Sequence, residues 1–201
     1  MKNYSVYIAL LFFLFLQRGI CQDIFDQSPY TNLRAYTSLA AAMQHPDSVQ
    51  KLDLSKKKLT DFPLEIMKLK NLKVLNLGKN KIRLIPKEIG ELQQLEDLIL
   101  TGNKLTVLPE EIGLLKNLRR LDLSRNDIVS LPPEVGKLQN LEVLDLWDNE
   151  LSDLPDEIRN LTSLRYLDMR SILFTEVYHK RFHALLPNAT IFLSPSCTCK
   201  N

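Results

Sequence analysis

Three carboxylates, Asp122, Asp145 and Asp168, recur at intervals of 23 residues, and each stands two residues before a side chain of another kind: Ser124, Trp147 and Arg170. Equal spacing puts such residues at one position of a structural repeat, where they form a row with one charge per rung. Two chemistries suit a row of this kind. Hard cations such as Ca²⁺ take oxygen ligands, but a flat row of acids has no loop to complete a coordination shell, so no metal is expected there. The other chemistry is recognition. Trp147, the one Trp of the chain, belongs to a set with Arg120, Asp122, Arg125, Asp145, Asp148, Tyr166, Asp168 and Arg170. Trp, Tyr and Arg are the residue types that anchor protein interfaces, where truncation costs about 2 kcal/mol or more. A plainer role stands beside it: Trp147 packed on the stem of Arg170 as a cation–π pair that stiffens the last rungs.

A second constellation lies near the C-terminus. His179 and His183 are four residues apart, on one face of an expected helix, and Cys197-Thr198-Cys199 follows. Two imidazoles and two thiolates form a possible Zn²⁺ set. Lys180 and Arg181 crowd that helix, Cys-x-Cys makes a tight loop, and the His-x-x-x-His lacks the acid that a metalloprotease needs. The expectation is surface histidines and a cysteine tail without metal. No phosphate loop, nucleophile elbow or paired acid and base emerges, so neither an enzyme nor a cofactor is expected. Asn160-Leu161-Thr162 and Asn188-Ala189-Thr190 satisfy the glycosylation sequon, which matters only in a eukaryotic secretory pathway.

The elements that must position these residues follow from a repeat beginning at Ser48. Windows starting at Ser48, Asn71, Gln94, Asn117, Asn140 and Ser163 keep Leu or a close substitute at the same offsets, in the pattern L-x-x-L-x-L-x-x-N-x-[LI]-x-x-[LIF]-P-x-x-[IV]-G-x-L. The central L-x-L is a short strand with one buried face. Its flanking residues leave the opposite, concave face: Asp53, Asn76, Ile99, Asp122, Asp145 and Asp168 in one column, with Trp147 and Tyr166 in the columns beside it. Asn80, Asn103, Asn126 and Asn149 fall where the chain turns inward and buried backbone groups need partners. Pro86, Pro109, Pro132 and Pro155 are expected at the first position of a short helical turn, with acids behind them that suit a helix N-terminus.

Residues 48 to about 185 resemble leucine-rich-repeat proteins, specifically the 23-residue class with L-P-x-x-[IV]-G on the outer arc, similar to Ras-suppressor-like and plant intracellular Ras-group-related repeats. The resemblance implies an α/β repeat solenoid with a parallel sheet on the concave face and short helical turns on the convex face. It also implies a binding platform, since that fold serves many unrelated partners. At the ends the pattern changes: Lys57 and Ile172 replace the Asn, Met67 the Gly and Tyr178 the Pro, as capping repeats require. Residues 36–43 are expected to form a short helix over the first strand, 176–186 a helix and 190–193 a final strand. The entry segment YTSLAAAMQHPDSVQKLDLS resembles that of secreted Bacteroidetes-type repeat proteins, and the four-cysteine caps of vertebrate extracellular repeats are absent from the sequence.

Composition, with 45% hydrophobic and 25% charged residues, is that of a folded soluble domain. An apolar run from Val6 to Leu16, behind Lys2 and ahead of Gly19-Ile20-Cys21, is too short to span a bilayer and fits a secretory leader cut after Cys21. Lys2 and Arg18 lie in that leader, so the remaining bases equal the 24 acids and no basic excess points to nucleic acid. The expected organisation is a signal peptide at 1–21, an N-terminal cap at 22–47, six repeats at 48–186 and a tail at 187–201. The expected product is a secreted, periplasmic or cell-surface module that binds a protein partner without catalysis. The rivals are an adhesin, a lipoprotein carrying lipid on Cys21, and a zinc-dependent accessory protein.

Overall fold

The computed structural model describes residues 29–195; the leader and Cys197 and Cys199 lie outside them. The chain divides into two compact units, 1–31 and 32–201. Of the first, only a turn at residues 29–31 is described; all the elements below belong to the second.

Eight strands pair in sequence order: β1 (Ala35–Tyr36), β2 (Lys51–Asp53), β3 (Val74–Asn76), β4 (Asp97–Ile99), β5 (Arg120–Asp122), β6 (Val143–Asp145), β7 (Tyr166–Met169) and β8 (Thr190–Leu193). Every pairing is parallel, and the register sets Leu52, Leu75, Leu98, Leu121, Leu144 and Leu167 side by side. All six are buried. Each of the five crossovers from β2 to β7 makes one five-residue 3-10 turn, at Leu64–Lys68, Lys87–Glu91, Glu110–Leu114, Pro133–Lys137 and Asp156–Asn160. Ile66, Ile89, Ile112, Val135 and Ile158 point inward from these turns and close the core against the strand leucines.

Two details differ from the expectation. The recurring prolines precede the turns rather than open them: Pro86, Pro109, Pro132 and Pro155 are extended N-cap residues whose carbonyls accept the first turn bond, as the Pro86 carbonyl does from Ile89 N–H at 3.0 Å. Of the five outer turns, that of Pro133–Lys137 alone contains a proline, Pro133. At the N-terminus, α1 is confined to Leu39–Ala42, capped by the Ser38 hydroxyl, because Ala35 and Tyr36 are drawn into β1 beside β2. The C-terminal expectations agree with the structure: α2 covers Glu176–Leu185, and β8 follows. Phe182 of α2 is buried, 4.9 Å centroid to centroid and edge-on to Phe174, so an aromatic plug ends the leucine column. Arg181 ties α2 to the last turn through Asp153, Asp156 and the Leu154 carbonyl.

The glycine of the outer arc has a steric cause. A Cβ on Gly113 would meet the Glu134 carbonyl at 2.5 Å, and one on Gly136 the Glu157 carbonyl at 2.3 Å, because each 3-10 turn lies directly on the next. Arg159 occupies the same position in the last turn, where α2 follows in place of another such turn. Among the described residues no helix is long and apolar enough to cross a membrane.

Candidate recognition surface on the concave sheet

The acidic row has a structural task. In five rungs the side chain at the strand end accepts the N–H two residues on: Ser55 N–H donates to Asp53 at 2.8 Å, Gly78 to Asn76 at 2.9 Å, Ser124 to Asp122 at 3.0 Å, Trp147 to Asp145 at 2.9 Å and Arg170 to Asp168 at 3.0 Å. A carboxylate or amide that bonds its own chain two residues on stops a strand and starts a turn. Ile99 breaks the row, and there the Thr101 and Ser124 hydroxyls lie 2.7 Å apart instead.

The turn then passes through a left-handed residue in every rung: Lys56, Lys79, Gly102, Arg125, Asp148 and Ser171, with φ between 54° and 66°. Only one is glycine, although a left-handed non-glycine costs roughly 1–2 kcal/mol. The next residue holds the turn in place. Asn80, Asn103, Asn126 and Asn149 are buried, and each amide bridges rungs: Asn126 Nδ2 donates to the Leu123 carbonyl at 2.8 Å and the Leu100 carbonyl at 3.1 Å, while its Oδ1 accepts from Leu105 N–H at 3.1 Å. The ladder asparagines are therefore structural, as their position implied.

This left-handed turn carries Arg125 over the neighbouring rung, where its guanidinium sits 4.4 Å from the centre of the Trp147 ring. The indole Nε1 donates to Ser171 Oγ at 2.9 Å, so Trp147 is held from both sides, by the rung before and the rung after. The expected stacking of Arg170 on Trp147 is not what the structure contains. Arg170 Nε reaches both oxygens of Asp168, at 2.9 and 3.0 Å, and its guanidinium stands 5.8 Å from the Phe192 ring. A planar fork matched to a carboxylate two residues away on the same strand wins over a ring on another rung. Ser171 and Phe192 were not among the expected residues. The register that sets Phe192 opposite Asp168, and the 23-residue column that carries Arg125 and Ser171, are the signals that point to them.

Of the nine residues grouped by the sequence, Asp122, Trp147, Tyr166 and Arg170 are half-buried and Arg125 and Asp148 exposed. Arg120, Asp145 and Asp168 are buried, with Arg120 Nε 3.6 Å from Asp97 Oδ1. Burial foremost, then the charge of Asp122, pushes Asp145 up to about 8, against the pull of the Trp147 N–H bond. Asp122 is raised as well, again first by burial and against its Ser124 hydrogen bonds. Beside the ladder a depression of about 310 Å³ opens between Lys104, Arg125, Asp127, Asp148 and Glu150, floored by the asparagines.

At the other constellation, His179 and His183 both lie on α2; His183 is exposed, and His179 Nε2 is buried without a hydrogen bond. Among the described residues no group of three or more His, Cys, Asp or Glu could hold a metal, and the two cysteines fall outside them. Asn160 and Asn188 of the sequons are exposed.

Two family models match the chain, a leucine-rich repeat region over residues 89–185 and a leucine rich repeat over residues 47–105. No curated protein matches it. Among solved structures the chain is similar to a leucine-rich-repeat protein of Leptospira interrogans, at 39% identity and TM-score 0.67, over 82% of this chain and 47% of that one. It is also similar to the plant peptide hormone receptor RGFR1 in complex with RGF2, at 39% identity and TM-score 0.59, over 64% of this chain and 22% of that one. The chain thus spans less than half the length of either. Repeat, register, asparagine ladder and matches agree: this is a leucine-rich-repeat protein, of a family whose members are typically interaction modules rather than enzymes.

Proposed function

We propose that the chain is a non-catalytic recognition module of the 23-residue repeat class that binds a protein partner on the concave face of its last repeats, with Trp147 as the anchor. One observation carries this reading: an indole left half-exposed on the sheet yet fixed by Arg125 at 4.4 Å and Ser171 at 2.9 Å. A large ring whose rotamer is already set loses little entropy on docking, which is how a rigid surface gains affinity. Asp122, Tyr166, Arg170, Arg125 and Asp148 surround it, while the buried Arg120, Asp145 and Asp168 hold the rungs. The receptor similar to this chain was solved in complex with RGF2, which supports a ligand-binding use of such a repeat fold.

Affinity capture from the source organism tests the reading. Trp147→Ala and Arg125→Ala should each weaken the captured complex by about 10- to 30-fold, while Glu111→Ala on the outer arc leaves it intact. Equal recovery with Trp147→Ala and wild type would remove the concave anchor from the account. We further propose that residues 1–21 are a secretory leader and that the mature, secreted protein, of the type found in bacterial repeat proteins, begins at Gln22. N-terminal sequencing of exported material decides this against a lipid-bearing Cys21.

A further inference from the structure

We infer that a second face of the solenoid, the side that links the strand ends to the outer turns, docks a second copy of this chain in antiparallel orientation. Along each link buried and exposed residues alternate: after Asn80, Lys81 is exposed, Ile82 buried, Arg83 and Leu84 exposed, and Ile85 buried. The first outward position of successive rungs is Lys58, Lys81, Lys104, Asp127 and Glu150, so the charge reverses sign halfway along the face. The left-handed column beside it runs Lys56, Lys79, Gly102, Arg125, Asp148 and Ser171, with two lysines at the same basic end and its one acid, Asp148, toward the other. Between the two ends exposed apolar side chains interleave with polar ones: Leu84, Val107 and Val129 are 62%, 43% and 45% exposed, beside the exposed Arg83, Thr106 and Ser130.

The charges on this face are largely unspent within the chain. Lys104 and Asp127, where the sign changes, form a loose pair at 3.8 Å, with the Lys104 side chain exposed and that of Asp127 about half so. Lys58, Lys81 and Glu150 make no ion pair among the described residues, in contrast to the neighbouring Lys73–Glu96 and Arg119–Glu142 pairs that link rungs on the opposite side of the strands.

A column that is basic at one end and acidic at the other, with exposed apolar side chains beside its centre, is complementary to itself turned end for end. A two-fold axis between the rungs of Lys104 and Asp127 sets Lys81 against Glu150 of the other copy and Lys104 against its Asp127, with Val107 and Val129 at the centre. Each contact occurs twice, as in any isologous dimer, and an apolar centre with a charged rim is the usual anatomy of an interface. Five rungs at about 4.8 Å span only about 20 Å, so the dimer is a small, weak one. The strand residues of the concave sheet stay open in it, Arg125 and Asp148 border both surfaces, and the inference does not rest on the partner proposed above.

Sedimentation equilibrium of the mature full chain tests this. Wild type should associate to a dimer, more weakly as salt rises from about 50 to 500 mM, because rim charges are screened. Lys81→Glu and Glu150→Lys should each weaken the dimer by roughly tenfold or more. Their equimolar mixture should restore it, because that heterodimer pairs Glu with Lys at both symmetric contacts. Both positions are exposed, and circular dichroism confirms that each variant folds. A wild type that stays monomeric at about 0.5 mM, or a mixture as weak as either variant alone, overturns the inference. Lys81→Glu abolishing binding to anionic vesicles while wild type remains monomeric would overturn it in favour of a membrane surface.

Discussion

Replacing Asn126 by Ala isolates what the asparagine ladder contributes. The amide makes bonds to the Leu123, Leu100 and Ser124 carbonyls and receives one from Leu105 N–H. The losses are unequal. The Leu100 carbonyl also accepts from Asn103 at 2.8 Å and the Leu123 carbonyl from Asn149 at 3.0 Å, so both keep a partner. Leu105 N–H has none left and sits in the buried interior. One stranded donor costs about 1–3 kcal/mol and the remaining net bonds about 1 kcal/mol, for a total of roughly 2–4 kcal/mol. Asn126→Asp sharpens the test. It keeps the acceptor for Leu105 but turns a bare oxygen toward three carbonyls, so it should destabilise at neutral pH and recover in part on acidification, when the carboxyl carries a proton. Urea midpoints at two pH values read both effects. A midpoint for Asn126→Ala within about 0.5 kcal/mol of wild type, or an Asp variant indifferent to pH, would refute the reasoning.

Two further changes probe the stacking and the acidic row. Gly136→Ala must displace the Glu157 carbonyl that lies 2.3 Å from the new Cβ; a loss of about 1–3 kcal/mol is expected, and thermal denaturation showing no loss would mean that the outer turns are loosely stacked. Asp145 has its folded pKa raised to about 8, so the stability it permits is present below the ordinary carboxylate range and lost as pH rises through 8. Asp145→Asn keeps the Trp147 N–H bond, as Asn76 does for Gly78, and is neutral at every pH. The variant should exceed wild type in stability by a margin that widens by at least about 1 kcal/mol between pH 5 and 9; a constant margin in denaturant titrations would contradict the burial argument.

The strand column, the inward asparagines and the C-terminal helix and strand were legible in the sequence because each is set by a periodic residue whose alternative is an unburied leucine or an unpaired amide. The proline position was misplaced by one residue, since the outer segment forms a five-residue 3-10 turn with the proline as its extended N-cap rather than as its first helical residue. At the N-terminus, Ala35 and Tyr36 carry no alternation to announce a strand; the exposed edge of β2 recruits them. The Trp147 neighbourhood was half legible. Alternation put the indole on the concave face, but the identity of its cation depends on a left-handed turn at Arg125 that no residue type signals, glycine occurring there in a single rung. The self-complementary side face, by contrast, is written openly in the run Lys58, Lys81, Lys104, Asp127, Glu150, and becomes meaningful only when the register shows those residues in one line.

Trp147 is the one Trp of the chain, which makes its fluorescence a direct report on the concave face near the last repeats. Titrating the captured partner into the mature protein, with emission maximum and acrylamide quenching followed together, measures whether that indole is covered. The account predicts a blue-shifted emission and quenching reduced severalfold at saturation, with neither change when the partner is withheld. Saturable binding that leaves both the emission and the quenching of Trp147 unchanged would contradict it and move the recognition surface off the concave sheet.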